Sequence, residues 1–416
     1  MKSFRVFPVT SLLDSDFYKF TMGQFVFLNF PNVEVEFELI NRSRAPLAYH
    51  IREADLRATL TALRTLRLTQ SELSYLRGLR NGEGPLFREE YLDFLSGLSL
   101  PRYTLKRDGD TYRLSCRGPW PLVMMWEIPA LATVNELYYR GLCEGRQDEC
   151  ITVGDKLLRE KIALLRTVPN LSFSDFGTRR RYSRAWQGHV LETLVREIPS
   201  QLQGTSNVMY AMRYGLRPIG TSAHELPMVL AALAFAKNTP GVSDTGVLES
   251  VHQYIFEHWF ELYGDSLSIA LTDTFGSDFF FRTAPRWIAE QWRGTRQDSG
   301  NPFRYGEEAI RWYERHGIDP SKKVVVWSDQ LDVALMITIL EQFYGRIGVG
   351  FGIGTNLTND CGVKAISLVM KAMRANGHDT VKLSDNRAKA TGPQNTVDRY
   401  SAAAGYVSTL YEECRS

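Results

Sequence analysis

Residues 322–355 read "KKVVVWSDQLDVALMITILEQFYGRIGVGFGIGT". A short apolar run, strand-like in its β-branched content, meets the polar cluster Ser328-Asp329. A helix-like segment follows, and then a second strand-like run ends at Gly354-Thr355. Two strands joined through a helix belong side by side and parallel.

The same succession recurs outward from this unit, between about residues 170 and 365. "LSFSDFGTRRR" (171–181) precedes a helix expected around 183–197, and "LRPIGTSAHE" (216–225) precedes an apolar run. "LSIALTDTFGSD" (267–278) precedes "FFFRTAPRWIAEQW", and "GTRQDSGNP" (294–302) precedes "FRYGEEAIRWYERHG". Repeated β-α units close into a barrel or open into a doubly wound sheet, and a run of this length favours the barrel. In both, ligands bind at the C-terminal ends of the strands. Asp175, Gly177, Thr221, Asp273, Asp298, Ser328, Asp329 and Gly354 fall there.

The expected fold class is therefore α/β. Residues 1–125 mix strand-like runs ("EVEFELIN", 34–41; "DTYRLSCRG", 110–118) with a helix-like one (52–68), as an α+β module does. A helix over roughly 127–141 leads into the barrel, placed at 126–374. Residues 375–416, with "TVKLSD" (380–385), are expected to pack back on the N-terminal module.

Composition narrows the function. The 416 residues carry 49 basic and 47 acidic side chains, a net charge of +2. That balance argues against a nucleic-acid binder, which shows a basic excess. The five cysteines (Cys116, Cys143, Cys150, Cys361, Cys414) have no C-x-x-C spacing and read as free thiols in a reducing compartment. No apolar run approaches the ~20 residues that span a bilayer, and the N-terminus has no signal-peptide pattern. The expectation is a cytoplasmic protein with no membrane partner.

Several clusters carry candidate chemistry. "GVGFGIGT" (348–355) brings backbone N–H groups close to an anion, or is a glycine-rich strand packed tightly on a neighbour. It is neither a dinucleotide fingerprint nor a P-loop. "DFGTRRRYS" (175–183) sets three arginines past a strand end, suited to phosphate oxygens or to a solvated helix start. Phe176 is positioned to offer a ring to a ligand. "RQDSGNP" (296–302) joins Arg296 and Asp298 around a turn that needs no function to explain it. Asp273 is a strand-end acid or a helix cap. "DSDFYKF" (14–20) reads first as a docking helix. His224, in "GTSAHE", is by default a helix-start residue, since neither H-E-x-x-H nor a cysteine partner accompanies it.

Together the clusters say more. "LLDSDFYKFTM" (12–22), "DFGTRRRYS", "GTSN" (204–207), "GTSAHE", "LTDTF" (271–275), "RQDSGNP", "WSDQLD" (327–332) and "FGIGT" (351–355) stand in one order. In order and approximate spacing they resemble the nicotinate phosphoribosyltransferases, from about residue 12 to 385. The resemblance implies an irregular α/β barrel with an additional α+β domain formed by the N-terminal region and the C-terminal tail. It implies a reaction in which nicotinate and phosphoribosyl pyrophosphate give nicotinate mononucleotide and pyrophosphate, coupled to ATP hydrolysis and supported by Mg²⁺.

It also implies roles. His224 would be phosphorylated by ATP. Tyr18 and Phe176 would sandwich the pyridine ring, with Tyr18 coming from either its own chain or a partner in a homodimer. Arg296 would bind the nicotinate carboxylate, with Thr221 close by, and Arg179 would meet phosphate or pyrophosphate oxygens. Asp273 and Asp298 would hold ribose hydroxyls or the Mg²⁺ on pyrophosphate. Gly352, Gly354 and Thr355 would cradle the 5′-phosphate. Glu225 would orient the histidine ring, or be an exposed helix-start residue. The rivals are a nicotinamide phosphoribosyltransferase and a non-catalytic sensor of a phosphosugar or nucleotide.

Overall fold

A computed structural model describes residues 7–82, 84–408, 410 and 411. The expected thiol Cys414 lies outside the described residues. In chain order the strands are β1 (Glu34–Asn41), β2 (Arg80–Asn81), β3 (Gly84–Pro85), β4 (Tyr103–Asp108), β5 (Thr111–Pro119), β6 (Phe173–Asp175) and β7 (Leu202–Thr205). They continue with β8 (Ile269–Leu271), β9 (Gly294–Gln297), β10 (Val324–Trp327), β11 (Gly348–Ile353), β12 (Leu368–Ala375) and β13 (His378–Asp379). β2 and β3 form a small hairpin.

The N-terminal module and the tail share one antiparallel sheet, ordered β13-β12-β1-β5-β4. In "EVEFELIN" the strand period of two sends Val35 and Phe37 inward, both fully buried. The tail returns earlier than expected: β12 pairs along β1, for instance Met370 opposite Leu39. All of β12 but Ala375 thus lies on the barrel side of the expected boundary at residue 374.

The second sheet is parallel, ordered β7-β6-β11-β10-β9-β8. Its strands are short and largely apolar because helices cover their outer faces. Trp327 ends β10 fully buried and stacks on Phe343 of the helix Val333–Phe343, with ring centroids 5.2 Å apart.

The barrel is irregular at one seam. "LRPIGTSAHE" is no strand: it meets β7 through a single parallel bridge, Thr205 to Pro218. Pro218 has no N–H to carry a ladder onward. The strand at that position is instead β7, drawn from "LQGT". Past the bridge, the His224 ring bonds the Thr274 hydroxyl, just after β8. The two sheet edges are therefore joined by side chains where no backbone ladder runs. "FFFRTAPRWIAEQW" splits into helices Ser277–Thr283 and Arg286–Gln291 at Pro285, as a ring that cannot continue a helix requires. Among the described residues no helix is long and apolar enough to cross a membrane.

Candidate active site

A cleft opens where the C-terminal ends of the parallel strands face the antiparallel sheet. Tyr18, Phe176, Arg179, His224, Arg296, Asp298, Gly352, Gly354 and Thr355 all line it. Two expected residues stand behind this wall. Thr221 turns its carbonyl to the Thr21 hydroxyl, 2.6 Å away. Asp273 is fully buried beneath the histidine, where it accepts from Ser299 Oγ at 2.5 Å.

His224 immediately precedes the helix Glu225–Lys237, but its side chain makes no cap bond. Nδ1 lies 2.9 Å from Thr274 Oγ1, and Nε2 lies 2.9 Å from Asp298 Oδ2. Asp273 Oδ1 is 3.6 Å from Nε2. Burial, then the adjoining Lys382 charge, push the imidazole down to about 4 against the pull of the two carboxylates. The ring is therefore neutral near pH 7 and keeps a nucleophilic lone pair. Burial alone would raise the Asp298 carboxyl, but the His224 bond and the Arg296 charge hold it well below the usual range. Ser328 Oγ donates to its other oxygen at 3.0 Å.

The histidine and both acids offer ligand atoms within 4.8 Å of one another. Asp273 Oδ1 has no hydrogen-bond partner. Carboxylate oxygens of this kind suit Mg²⁺. The Lys382 ammonium already stands among them, 3.5 Å from Asp273 Oδ2. The set therefore fits an ion carried in on substrate phosphates better than a resident one.

The three arginines of "GTRRR" divide. Arg179 and Arg180 line the cleft. Arg181 is fully buried and grips Asp14 with two bonds of 2.6 and 2.7 Å, a structural pairing. "DSDFYKF" likewise splits between Asp14 in the core and Tyr18 at the cleft, where the Tyr18 hydroxyl donates to Glu127 at 3.0 Å. Arg296 Nη1 donates to Ser222 O at 3.3 Å, and its buried Nε has no partner. Gly352 is required by contact: a Cβ there would sit 2.3 Å from the Phe176 ring.

Glu225 departs from both readings offered for it. It is neither exposed nor a partner of the His224 ring. It is 4% exposed and accepts from Lys19 Nζ and Trp120 Nε1, each at 2.6 Å. A carboxylate this deep needs a cation, and the N-terminal helix supplies Lys19.

Sequence reasoning missed the basic wall opposite the barrel. Lys371 on β12, with Lys382 and Lys389 beyond it, lines the cleft. Burial pushes Lys371 down to about 7. Lys389 donates to the Asp298 carbonyl at 3.0 Å and pairs with Asp329. In sequence "TVKLSD" carries no signal beyond a segment that packs back.

A barrel cleft with aromatic faces, basic walls and an acid-flanked neutral histidine defines an enzyme that handles phosphorylated substrates. Residues 171–405 match the nicotinate phosphoribosyltransferase (NAPRTase) family, and residues 13–135 match the NAPRTase N-terminal domain. The nicotinate phosphoribosyltransferase of Porphyromonas gingivalis superposes with a TM-score of 0.85 at 32% identity, covering 95% of this chain and 100% of that one. That of Vibrio cholerae gives 0.85 at 31% identity, over 97% of this chain and 95% of the other. The chain belongs to the nicotinate phosphoribosyltransferase family.

Proposed function

We propose that this protein is a nicotinate phosphoribosyltransferase, in which the pyridine nitrogen of nicotinate displaces pyrophosphate from C1 of phosphoribosyl pyrophosphate. The product is nicotinate mononucleotide, and the step is coupled to ATP hydrolysis through phosphorylation of His224. The reaction would supply NAD salvage from nicotinate. The observation that carries this reading is the neutral, buried His224 ring set between Asp298 and Thr274 at the edge of a basic cleft.

The other roles follow from their chemistry. Tyr18, from its own chain, and Phe176 offer aromatic faces to the pyridine ring. The Arg296 fork suits the carboxylate, which a nicotinamide site has no use for. Arg179 receives phosphate or pyrophosphate oxygens. The backbone at Gly352, Gly354 and Thr355 approaches the 5′-phosphate closely. Thr221 acts from behind through its backbone. Asp298 and Asp273 would hold the Mg²⁺ that arrives on pyrophosphate, where it would offset phosphate charge. An oxocarbenium-like transition state needs positioning and charge stabilisation more than proton transfer. The chain divides into two parts, residues 1–125 with the tail from β12 onward, and the barrel from residue 126 up to β12.

Incubation with nicotinate, phosphoribosyl pyrophosphate, Mg²⁺ and ATP, followed by product analysis, tests the reading. Nicotinate mononucleotide is the expected product. Preference for nicotinamide when the two bases compete would contradict it.

A further inference from the structure

Lys382 is 3% exposed, yet its three N–H donors have little to bond. Nζ lies 2.8 Å from His224 Nε2 and 3.5 Å from Asp273 Oδ2. A buried lysine amine with one short contact, to a ring nitrogen, is expensive to keep unless a ligand completes its shell.

The second observation is a conflict at one atom. Nε2 faces the Lys382 ammonium at 2.8 Å and the Asp298 carboxylate at 2.9 Å. A single ring nitrogen either donates or accepts, so it satisfies one neighbour at a time. Whichever it serves, the other is left reaching for a different partner. The third observation is charge. The Asp273 and Asp298 carboxyl groups both border the ring, at 3.6 and 2.9 Å from Nε2, where an incoming polyphosphate would meet them. Lys382 is the cation in contact with the ring.

We propose that Lys382 binds the phosphoryl group as it passes between ATP and His224, and so admits a polyphosphate to an otherwise acid-flanked ring. In the step, a ring nitrogen lone pair forms the N–P bond. The P–O bond to the leaving diphosphate breaks, its electron pair stays on the ADP oxygen, and the other ring nitrogen keeps its proton. The ammonium meets the oxygens of the transferring group, as fixed cations do in phosphoryl transfer. Lys382 reaches this position because the return segment after β13 is tied to the barrel by Leu383 N, which donates to Thr274 O at 2.8 Å. The chain that seats the lysine thus bonds the same residue that holds Nδ1.

The proposal rests on the phosphohistidine reading, and the test separates the two. Wild type, Lys382→Met and Lys382→Arg are incubated with γ-labelled ATP and Mg²⁺, and acid-labile, base-stable protein label is measured. Turnover is then measured with and without ATP. Label in wild type with a loss of about a hundredfold in the initial labelling rate of Lys382→Met, partly restored in Lys382→Arg, supports the proposal. The ratio of ATP-stimulated to ATP-independent turnover then falls at least tenfold in Lys382→Met, whereas a merely misfolded variant loses both rates together. Normal labelling of Lys382→Met, or a parallel loss of both rates, overturns the role of Lys382 alone. Absence of label in wild type overturns the phosphohistidine reading and this proposal with it.

Discussion

His224 Nε2 and Asp298 Oδ2 lie 2.9 Å apart across the barrel seam, between a segment that forms no strand and the end of β9. The bond brings a neutral ring and an ionised acid to the mouth of a basic cleft. It also places the histidine on a stretch of barrel wall where, among the described residues, backbone pairing lapses. The seam and the chemistry share residues, so changes at His224, Thr274 or Asp298 are expected to affect both.

The aromatic walls predict a binding phenotype. Tyr18→Ala removes one face of the proposed ring sandwich and should raise KM for nicotinate about tenfold, in line with ~1.4 kcal/mol of aromatic contact. Tyr18→Phe keeps the face and loses the bond to Glu127, so its KM should stay near wild type. Gly352→Ala attacks the other wall, because its methyl would stand 2.3 Å from the Phe176 ring. It should raise KM as well and cost about 1–3 kcal/mol of stability. Steady-state kinetics with chemical denaturation checks all three variants.

Carboxylate recognition predicts a failed conservative change. Arg296→Lys preserves charge but not the planar fork. KM for nicotinate should rise about 10–100-fold, the range of a lost charge-assisted hydrogen bond. KM for phosphoribosyl pyrophosphate should move far less. Equal shifts in both would remove Arg296 from the base subsite.

Arg181 predicts stability rather than catalysis. It and Asp14 are both fully buried. Asp14→Asn leaves the guanidinium short of its counter-charge and should cost about 3–5 kcal/mol in urea unfolding. The neighbouring Arg179, at the cleft, pairs with the buried Asp16 at 3.6 Å, so its change to Met should weaken phosphate-dependent kinetics and also cost some stability.

His252 supplies a pH dependence away from the cleft. It is buried among Phe256, Phe275, Phe279 and Phe280, and burial pushes its imidazole down to about 4. Between pH 6.5 and 4 the unfolded chain therefore takes up a proton that the folded chain refuses. The stability from this site is present above the unfolded value of ~6.5 and lost as pH falls through that window. Taking the protein from pH 7 to pH 5 should cost about 2 kcal/mol through His252 alone. His252→Phe should reduce the wild-type drop by that amount in parallel denaturation curves.

Much of the architecture was legible because periodic patterns carry it. The alternation in "EVEFELIN" and the strand-cluster-helix succession of 322–355 both became the elements they suggested. β7 was hidden because four residues, two of them Gly and Thr, leave too short a pattern to register. The return of β12 was hidden because pairing with a strand more than 300 positions earlier leaves no local trace. At the site, most residues announced by turns and glycines line the cleft, since strand ends present them there, while Thr221 and Asp273 stand behind it. Lys382 and Lys389 were not, because a lysine in a tail reads as solvated until the tail is seen to cross the barrel mouth. Glu225 misled for a similar reason: its partner, Lys19, is contributed by a helix 206 residues away.

The proposed function turns on His224 carrying phosphate between ATP and the transfer reaction. It is tested most directly by measuring nicotinate mononucleotide formation and ATP hydrolysis side by side in wild type and His224→Ala. The variant is expected to lose ATP hydrolysis and ATP stimulation while slow, ATP-independent transfer from phosphoribosyl pyrophosphate persists. ATP stimulation of the same size in His224→Ala as in wild type would contradict it.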